Sequence, residues 1–333
     1  MTCSREYVDA YFKYMISPTS SGASVAADFS WTDSPEVTTF TNELYVRYPG
    51  TKRKKRTVNF SRYGGLGQHR TPIGFSGDTD RKWDTLTYQT YFTPRAANVA
   101  FGWWSHDIGG FSASPVDDVF HTEGPELYLR WLQFGAFAPI FRTHCRYCEQ
   151  RPWSWGPEWY ALMRRPMVTR SNLVPYIYSH AAMHSYRSGE ALLTPTYWDP
   201  AAAGSEEAYA PEFGRQYLFG RELLVAPVTE PVSPDPERQG SNNDTTWDAK
   251  NAGTVERSVW LPKGGWHAWS KPSATPLAGP VVDTQRYGLD ETPVYVRSGA
   301  VRCRHHAVII VKASPTSFCR SLLMTTHSKT HRI

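Results

Sequence analysis

Between Val25 and Glu190 short apolar runs alternate with longer amphipathic stretches, and no other feature narrows the fold so far. A short run rich in β-branched and aromatic residues reads as a buried strand, whereas apolar residues spaced three and four apart over a longer stretch read as a helix. Val58 to Ser61, Val99 to Trp104 and Phe137 to Arg142 are therefore expected as strands. Leu86 to Tyr91, Pro125 to Phe134 and Trp159 to Tyr186 are expected as helices. Strands separated by helices pair in parallel, because a parallel neighbour can be reached only by a long crossover. The expected class is α/β, a fold that carries its chemistry where the strands end.

From Ala191 onward the pattern changes. Leu192 to Tyr197, Leu223 to Val228, Val259 to Leu261 and Val294 to Arg297 are short β-rich runs broken by Pro, Gly and Asn. This spacing predicts a small antiparallel β-sandwich over residues 191–302, appended to an α/β part in residues 1–190. Gly240 to Gly253 reads as a polar loop insertion. Residues 303–333 mix His, Ser, Thr and basic residues without periodicity and receive no assigned structure.

Composition excludes several classes. A 333-residue chain with 40% hydrophobic residues buries a core and is not disordered. The net charge of +5 is modest and the dense basic run, Lys52 to Arg56, reads as a solvated loop, so no nucleic-acid partner is expected. No apolar stretch approaches the roughly 18 residues of a membrane span, and Met-Thr-Cys-Ser-Arg-Glu lacks a signal-peptide core, which gives a cytoplasmic reading. Five scattered cysteines do not suggest a disulfide framework. His144, Cys145 and Cys148 form a compact cluster, but a structural zinc takes four ligands and no second Cys-x-x-Cys occurs. Neither a metal nor a cofactor is expected.

Three stretches concentrate polar chemistry. Arg62-Tyr-Gly-Gly-Leu-Gly-Gln-His-Arg-Thr-Pro-Ile-Gly-Phe75-Ser-Gly-Asp78 packs glycines ahead of a carboxylate. Glycines permit tight turns and close ligand approach. A phosphate loop is the rival, but no Gly-Lys-Ser/Thr follows and Asp78 would repel phosphate. Trp104-Ser-His-Asp107-Ile-Gly-Gly places a second carboxylate at a strand end, and Arg130-Trp through Arg142-Thr-His144 a third polar group. Aromatics make up 14% of the chain, with 13 Trp. Carboxylates among flat apolar faces suit a sugar, whose hydroxyls take hydrogen bonds and whose ring stacks. Each residue also has a plainer reading: Asp78 as a helix cap before Thr79-Asp80, Asp107 as a turn residue before Gly109-Gly110, Arg62 as half of a surface ion pair, and His144 as a core histidine. Trp103, Trp153 and Trp155 read as packing.

Together with Gln216-Tyr-Leu-Phe-Gly-Arg-Glu-Leu-Leu-Val-Ala-Pro, these segments resemble, in order, the motifs of glycoside hydrolase family 31 over roughly residues 28 to 300. The resemblance implies a (β/α)8 barrel followed by β-sandwich domains and retaining hydrolysis of α-linked glucosides or xylosides. Only about 30 residues precede Asp33, whereas such a barrel takes about 250 in all, so a partial barrel of later strands is expected. The family's acid/base aspartate falls on Asp78, its substrate-binding arginine on Arg62, its sugar-binding aspartate on Asp107 and its histidine on His144. The nucleophile motif falls on Asp28-Phe-Ser-Trp31-Thr-Asp33. Trp31, Phe75 and Trp104 would wall the sugar site, with Asp78 buried against Phe75, Arg62 holding Asp33 ionised, and Asp33 and Asp78 on neighbouring strands. A retaining glycosidase uses two such carboxyls, one attacking the anomeric carbon and the other protonating the leaving oxygen. A transglucosylase would use the same pair, and a non-catalytic carbohydrate-binding fragment would keep the motifs without turnover. The expected partner is an α-linked oligosaccharide or glycoside; oligomeric state is not readable.

Overall fold

A computed structural model describes residue 6 and residues 30–32, 59–62, 73–111, 124–146, 150–232, 253–304 and 307–310. Four short strands form one parallel sheet in sequence order: β1 (Ser30–Thr32), β2 (Asn59–Arg62), β3 (Ile73–Phe75) and β4 (Trp104–Ser105). Phe60 pairs with Ile73 and Arg62 with Phe75, and Gly74 pairs with Trp104. A further parallel bridge, Ile108 to Thr143, continues the series. The sheet is the partial parallel barrel expected of the first half.

Among the described residues three long helices accompany it. α1 (Trp83–Arg95) has Asp84 in its first turn and Arg95 in its last, charges that complement the helix dipole. α2 (Gly124–Ala136) is buried at every one of its 13 positions. α3 (Pro157–His180) starts with Pro at its first position, where the missing N–H costs nothing, and runs on through a π-helical turn at Ala181–Ser185 to Gly189 in the left-handed region. No described helix is long and apolar enough to cross a membrane.

Two expected strands fall differently. Val99 to Trp104 gives a strand only at Trp104–Ser105, because Ala96–Val99 closes α1 as a 3-10 turn that ends at Ala100 with φ 67. Phe137 to Arg142 is a bend after α2, and only Thr143 bridges to the sheet. Phe137 is buried for a different reason: it packs edge-on against Phe219 and Trp269 of the C-terminal part.

The second half is a six-stranded antiparallel sheet, in the order β5 (Leu193–Pro195), β6 (Tyr217–Phe219), β7 (Leu223–Val225), β10 (Val294–Arg297), β8 (Val255–Ala268), β9 (Leu277–Tyr287). β8 and β9 make a long hairpin whose register shifts between Leu261 and Gly264. A hairpin of β11 (Val301–Arg304) and β12 (Ala307–Ile310) takes up the start of the stretch that carried no expected structure. The rest of that stretch, and all of the polar insertion but Gly253, lie outside the described residues.

One core serves both halves. Leu127, Trp131, Leu132 and Phe134 of α2 pack in a single cluster with Tyr217, Phe219, Leu223 and Val296 of the antiparallel sheet. Buried polar groups reinforce the seam. Arg130 pairs with Glu126 at 3.5 Å and donates to the carbonyls of Gly288 and Glu291 at 3.1 Å each. Gln133 donates to Leu289 O at 2.6 Å, and Glu126 accepts from Val232 N–H at 3.0 Å.

Candidate active site

Parallel strands deliver their last residues to one end of the sheet, and the polar residues singled out above gather there. Successive residues of a strand face opposite sides, while register partners share a side. Arg62 and Phe75 therefore share one face, and Gly74 and Trp104 share the other.

On the first face Phe60 stacks on Phe75 with ring centroids 4.6 Å apart. The Arg142 guanidinium lies 5.1 Å and 5.3 Å from these two ring centroids. Arg142 Nη2 also donates a short hydrogen bond to Asp107 Oδ1. Asp107 is fully buried, and burial raises its pKa; the Arg142 charge and hydrogen bond and the His144 charge oppose this, while Asp78 adds to it. The structure thus brings Asp78, Asp107, Arg142 and His144 into one electrostatic neighbourhood. His144 stacks on Phe111 with centroids 5.2 Å apart.

Backbone contacts hold these loops together. Phe111 N–H donates to Thr79 O at 2.7 Å, Ile108 N–H to Arg142 O at 3.1 Å and Arg146 N–H to Phe111 O at 2.8 Å. Gly110 has φ +80, and a Cβ there would lie 2.8 Å from Arg81 Cα and 2.9 Å from Asp80 O. Glycine at this position lets the Asp107 loop close on the Asp78 loop.

Asp78 differs from expectation. Its side chain is 43% exposed, and Arg62 Nη1 lies 3.3 Å from its Oδ1. The aromatic ring expected to bury it, Phe75, is covered instead by Phe60 and Arg142. Arg62 pairs with Asp78; Asp33, which it was also expected to serve, lies outside the described residues. Gly77 makes this possible, since its φ is +73 and a Cβ there would lie 2.2 Å from Arg62 Nε. Arg62, Phe75, Asp78 and Trp104 line one open cleft of about 630 Å³, together with Tyr88 and Phe92 of α1.

Trp104 reaches that cleft from the helix side of the sheet, not as a wall beside Asp107. Its ring lies against Gly74, meets Phe92 and Phe101 edge-on at 5.2 Å each, and its Nε1 donates to Ser76 Oγ at 2.9 Å. His106, on the same side, accepts a hydrogen bond at its Nδ1 from Trp131 Nε1 at 3.1 Å and stacks on Phe134 at 4.4 Å. Complete burial, aided by the Arg142 charge, lowers its pKa to about 3, so it is a neutral packing group.

Trp31 belongs to β1 and pairs with Phe60 through the backbone; Asp33, directly after β1, lies outside the described residues. β2 separates β1 from β3, so the strands leading to Asp33 and Asp78 are next-but-one rather than adjacent. Cys145 is disulfide-bonded and so offers no thiolate to a metal; Cys148 lies outside the described residues. Among the described residues no group of three His, Cys, Asp or Glu side chains is arranged to hold a metal.

Sequence reasoning passed over Arg142 and Phe60 as site residues. Arg142 carried a signal, since it stands two residues before His144 in the Arg142-Thr-His144 motif. Phe60 carried none beyond lying in an expected strand.

The domain description "Glycosyl hydrolases family 31 TIM-barrel domain" matches residues 13–180, and "Glycosyl hydrolase family 31 C-terminal domain" matches residues 189–301. An alpha-xylosidase of Saccharolobus solfataricus is 31% identical over 268 residues, 78% of this chain and 32% of that protein. A 1,6-alpha-glucosyltransferase of Sporosarcina globispora is 28% identical over 204 residues, 60% of this chain and 13% of that protein. A family 31 dextranase of Flavobacterium johnsoniae, solved with glucose, superposes with a TM-score of 0.63 at 26% identity, covering 80% of this chain and 30% of that one. The chain thus spans about a third or less of the length of these relatives.

Proposed function

This chain belongs to glycoside hydrolase family 31, and we propose that it carries the acid/base side of a retaining α-glycosidase site acting on α-linked glucosides or xylosides. The observation that carries the reading is the pair of carboxylates at the ends of consecutive parallel strands, each with its own guanidinium: Asp78 with Arg62 and Asp107 with Arg142. Asp78, the exposed member, is the proton donor to the leaving oxygen and afterwards takes the proton of the attacking water. Asp107, held in one orientation by Arg142, accepts hydrogen bonds from ring hydroxyls beside His144. Phe75, with Arg142 above its ring, forms the floor.

Asp33 is the nucleophile in this reading. Two strand spacings, roughly 10 Å, separate the backbones of β1 and β3. Retaining chemistry needs the carboxyls about 5 to 5.5 Å apart. Side chains that lean inward across a curved sheet close such a gap. Two carboxyls suffice for this chemistry, with no metal or cofactor required.

Hydrolysis of an aryl α-glucoside and an aryl α-xyloside by the purified chain, beside Asp78→Asn, tests the reading. Turnover of neither by a folded chain would sink it and favour a non-catalytic carbohydrate-binding piece. Labelling by a fluorinated glycosyl donor should fall on Asp33; labelling elsewhere removes that assignment. The similarity to a 1,6-alpha-glucosyltransferase supports a second reading, transfer to an acceptor sugar, and longer products in the presence of added glucose would select it.

A further inference from the structure

The antiparallel sheet contains a buried guanidinium that the sugar site does not use. Arg257 on β8 is 6% exposed, and its Nε and Nη2 have no hydrogen-bond acceptor among the described residues. By alternation it shares a face of β8 with Val259 and Leu261, which pack in an apolar cluster with Leu218, Leu224 and Tyr295. Its charged surroundings are a second guanidinium, Arg215, and the carboxylate of Glu230, with Tyr287 nearby. Glu230 is already engaged: Arg215 Nη1 donates to it at 2.8 Å and to Thr229 Oγ1 at 2.6 Å.

This arrangement is costly as it stands. A buried donor without an acceptor costs about 1–3 kcal/mol, and a buried unpaired charge costs more. Deprotonation offers no escape at neutral pH, since burial and the Arg215 charge bring Arg257 only down to about 10. A guanidinium presents a rigid fork of N–H donors that matches the oxygens of phosphate or carboxylate. Two guanidiniums together favour an anion more than either does alone.

We propose that Arg257 and Arg215 form a binding site for a small oxyanion of the phosphate or carboxylate class, on the antiparallel sheet and independent of the glycosidase reading. The anion accepts from Arg257 Nε and Nη2, and Arg215 balances its charge. Glu230 competes with it for Arg215.

Calorimetric titration of the whole chain with inorganic phosphate, and separately with acetate, tests this. Thermal unfolding is followed in the same anions against chloride at matched ionic strength. Saturable binding of either anion is expected, with a rise in Tm that chloride does not give. Arg257→Met should weaken it roughly ten- to a hundredfold, and Glu230→Gln should tighten it by removing the competing carboxylate. Arg257→Lys keeps the charge, loses the fork and should bind more weakly than the parent, which serves if the Met variant does not fold. Saturable binding to neither anion overturns the proposal. So does an equal Tm shift in Arg257→Met, which would mark a general salt effect, or undiminished affinity in Arg257→Lys.

Discussion

Replacing Gly77 by alanine should damage the site through Arg62, and the size of the effect can be worked out in two parts. The backbone at Gly77 has φ +73, a region that costs an L-residue about 1–2 kcal/mol. The added methyl would also lie 2.2 Å from Arg62 Nε and 2.8 Å from Arg62 Cζ, so the guanidinium must leave the place it occupies. Its ion pair with Asp78 goes with it. Because Asp78 is 43% exposed, that pair alone is worth no more than about 1 kcal/mol. Together the two parts make Gly77→Ala destabilising by about 2–3 kcal/mol. Arg62→Ala removes the obstructing side chain, so in that background only the backbone part remains. Urea unfolding of the parent, both single variants and the double variant then yields a coupling of about 1 kcal/mol between the positions. Additivity within about 0.5 kcal/mol would refute the idea that Gly77 exists to seat Arg62. On the proposed reading, aryl glycoside turnover falls in Gly77→Ala as far as in Arg62→Ala.

Other perturbations test other contacts. His106 has a folded pKa lowered to about 3 against an unfolded value near 6.5. Its neutral form therefore stabilises the fold above pH 6.5, and this contribution is lost as pH falls toward 3. Urea unfolding across that window should show the parent losing up to about 1.4 kcal/mol more per pH unit than His106→Gln, and parallel curves would contradict it. Arg142→Met leaves the raised, buried Asp107 without its guanidinium and should cost about 3–5 kcal/mol at pH 7. The deficit should shrink as pH falls toward 4 and Asp107 takes up a proton; a deficit independent of pH would place Asp107 in water. Arg130→Met should cost a similar ~3–5 kcal/mol, because it strands buried Glu126 and frees the carbonyls of Gly288 and Glu291. A midpoint in urea unchanged from the parent would show that the seam is held by apolar contacts alone.

The helices were legible because their apolar positions recur with helical spacing: α1 and α2 enclose the expected ranges, and α3 covers the third once the π-helical turn Ala181–Ser185 and the helical residues Tyr186–Ser188 are added. Strand runs were less so. Phe137 to Arg142 has a strand's composition, yet it is apolar because the antiparallel sheet packs on it, a tertiary cause that local pattern does not carry. Trp104 shows the same limit within one residue. Its position at a strand end was readable, but a two-residue period does not say which face meets the helices. Asp107 and His144 could be found from their motifs, whereas the pairing of Arg62 with Asp78 depends on the positive φ at Gly77, which in sequence is one glycine among several.

A helix with no solvent face has a consequence for how such a chain can be handled. α2 gives one flank to the parallel sheet, through Trp131 and His106, and another to the C-terminal part, through Arg130 and Gln133 to the Gly288–Glu291 loop and Phe134 to Tyr217. The two halves should therefore melt as one cooperative unit. Cut near residue 190, each half would present the other's share of the interior to water and precipitate or recruit a chaperone. Construction of chimaeras by exchanging the C-terminal sheet between relatives should accordingly succeed only when α2 and the loop at Gly288–Glu291 travel with it.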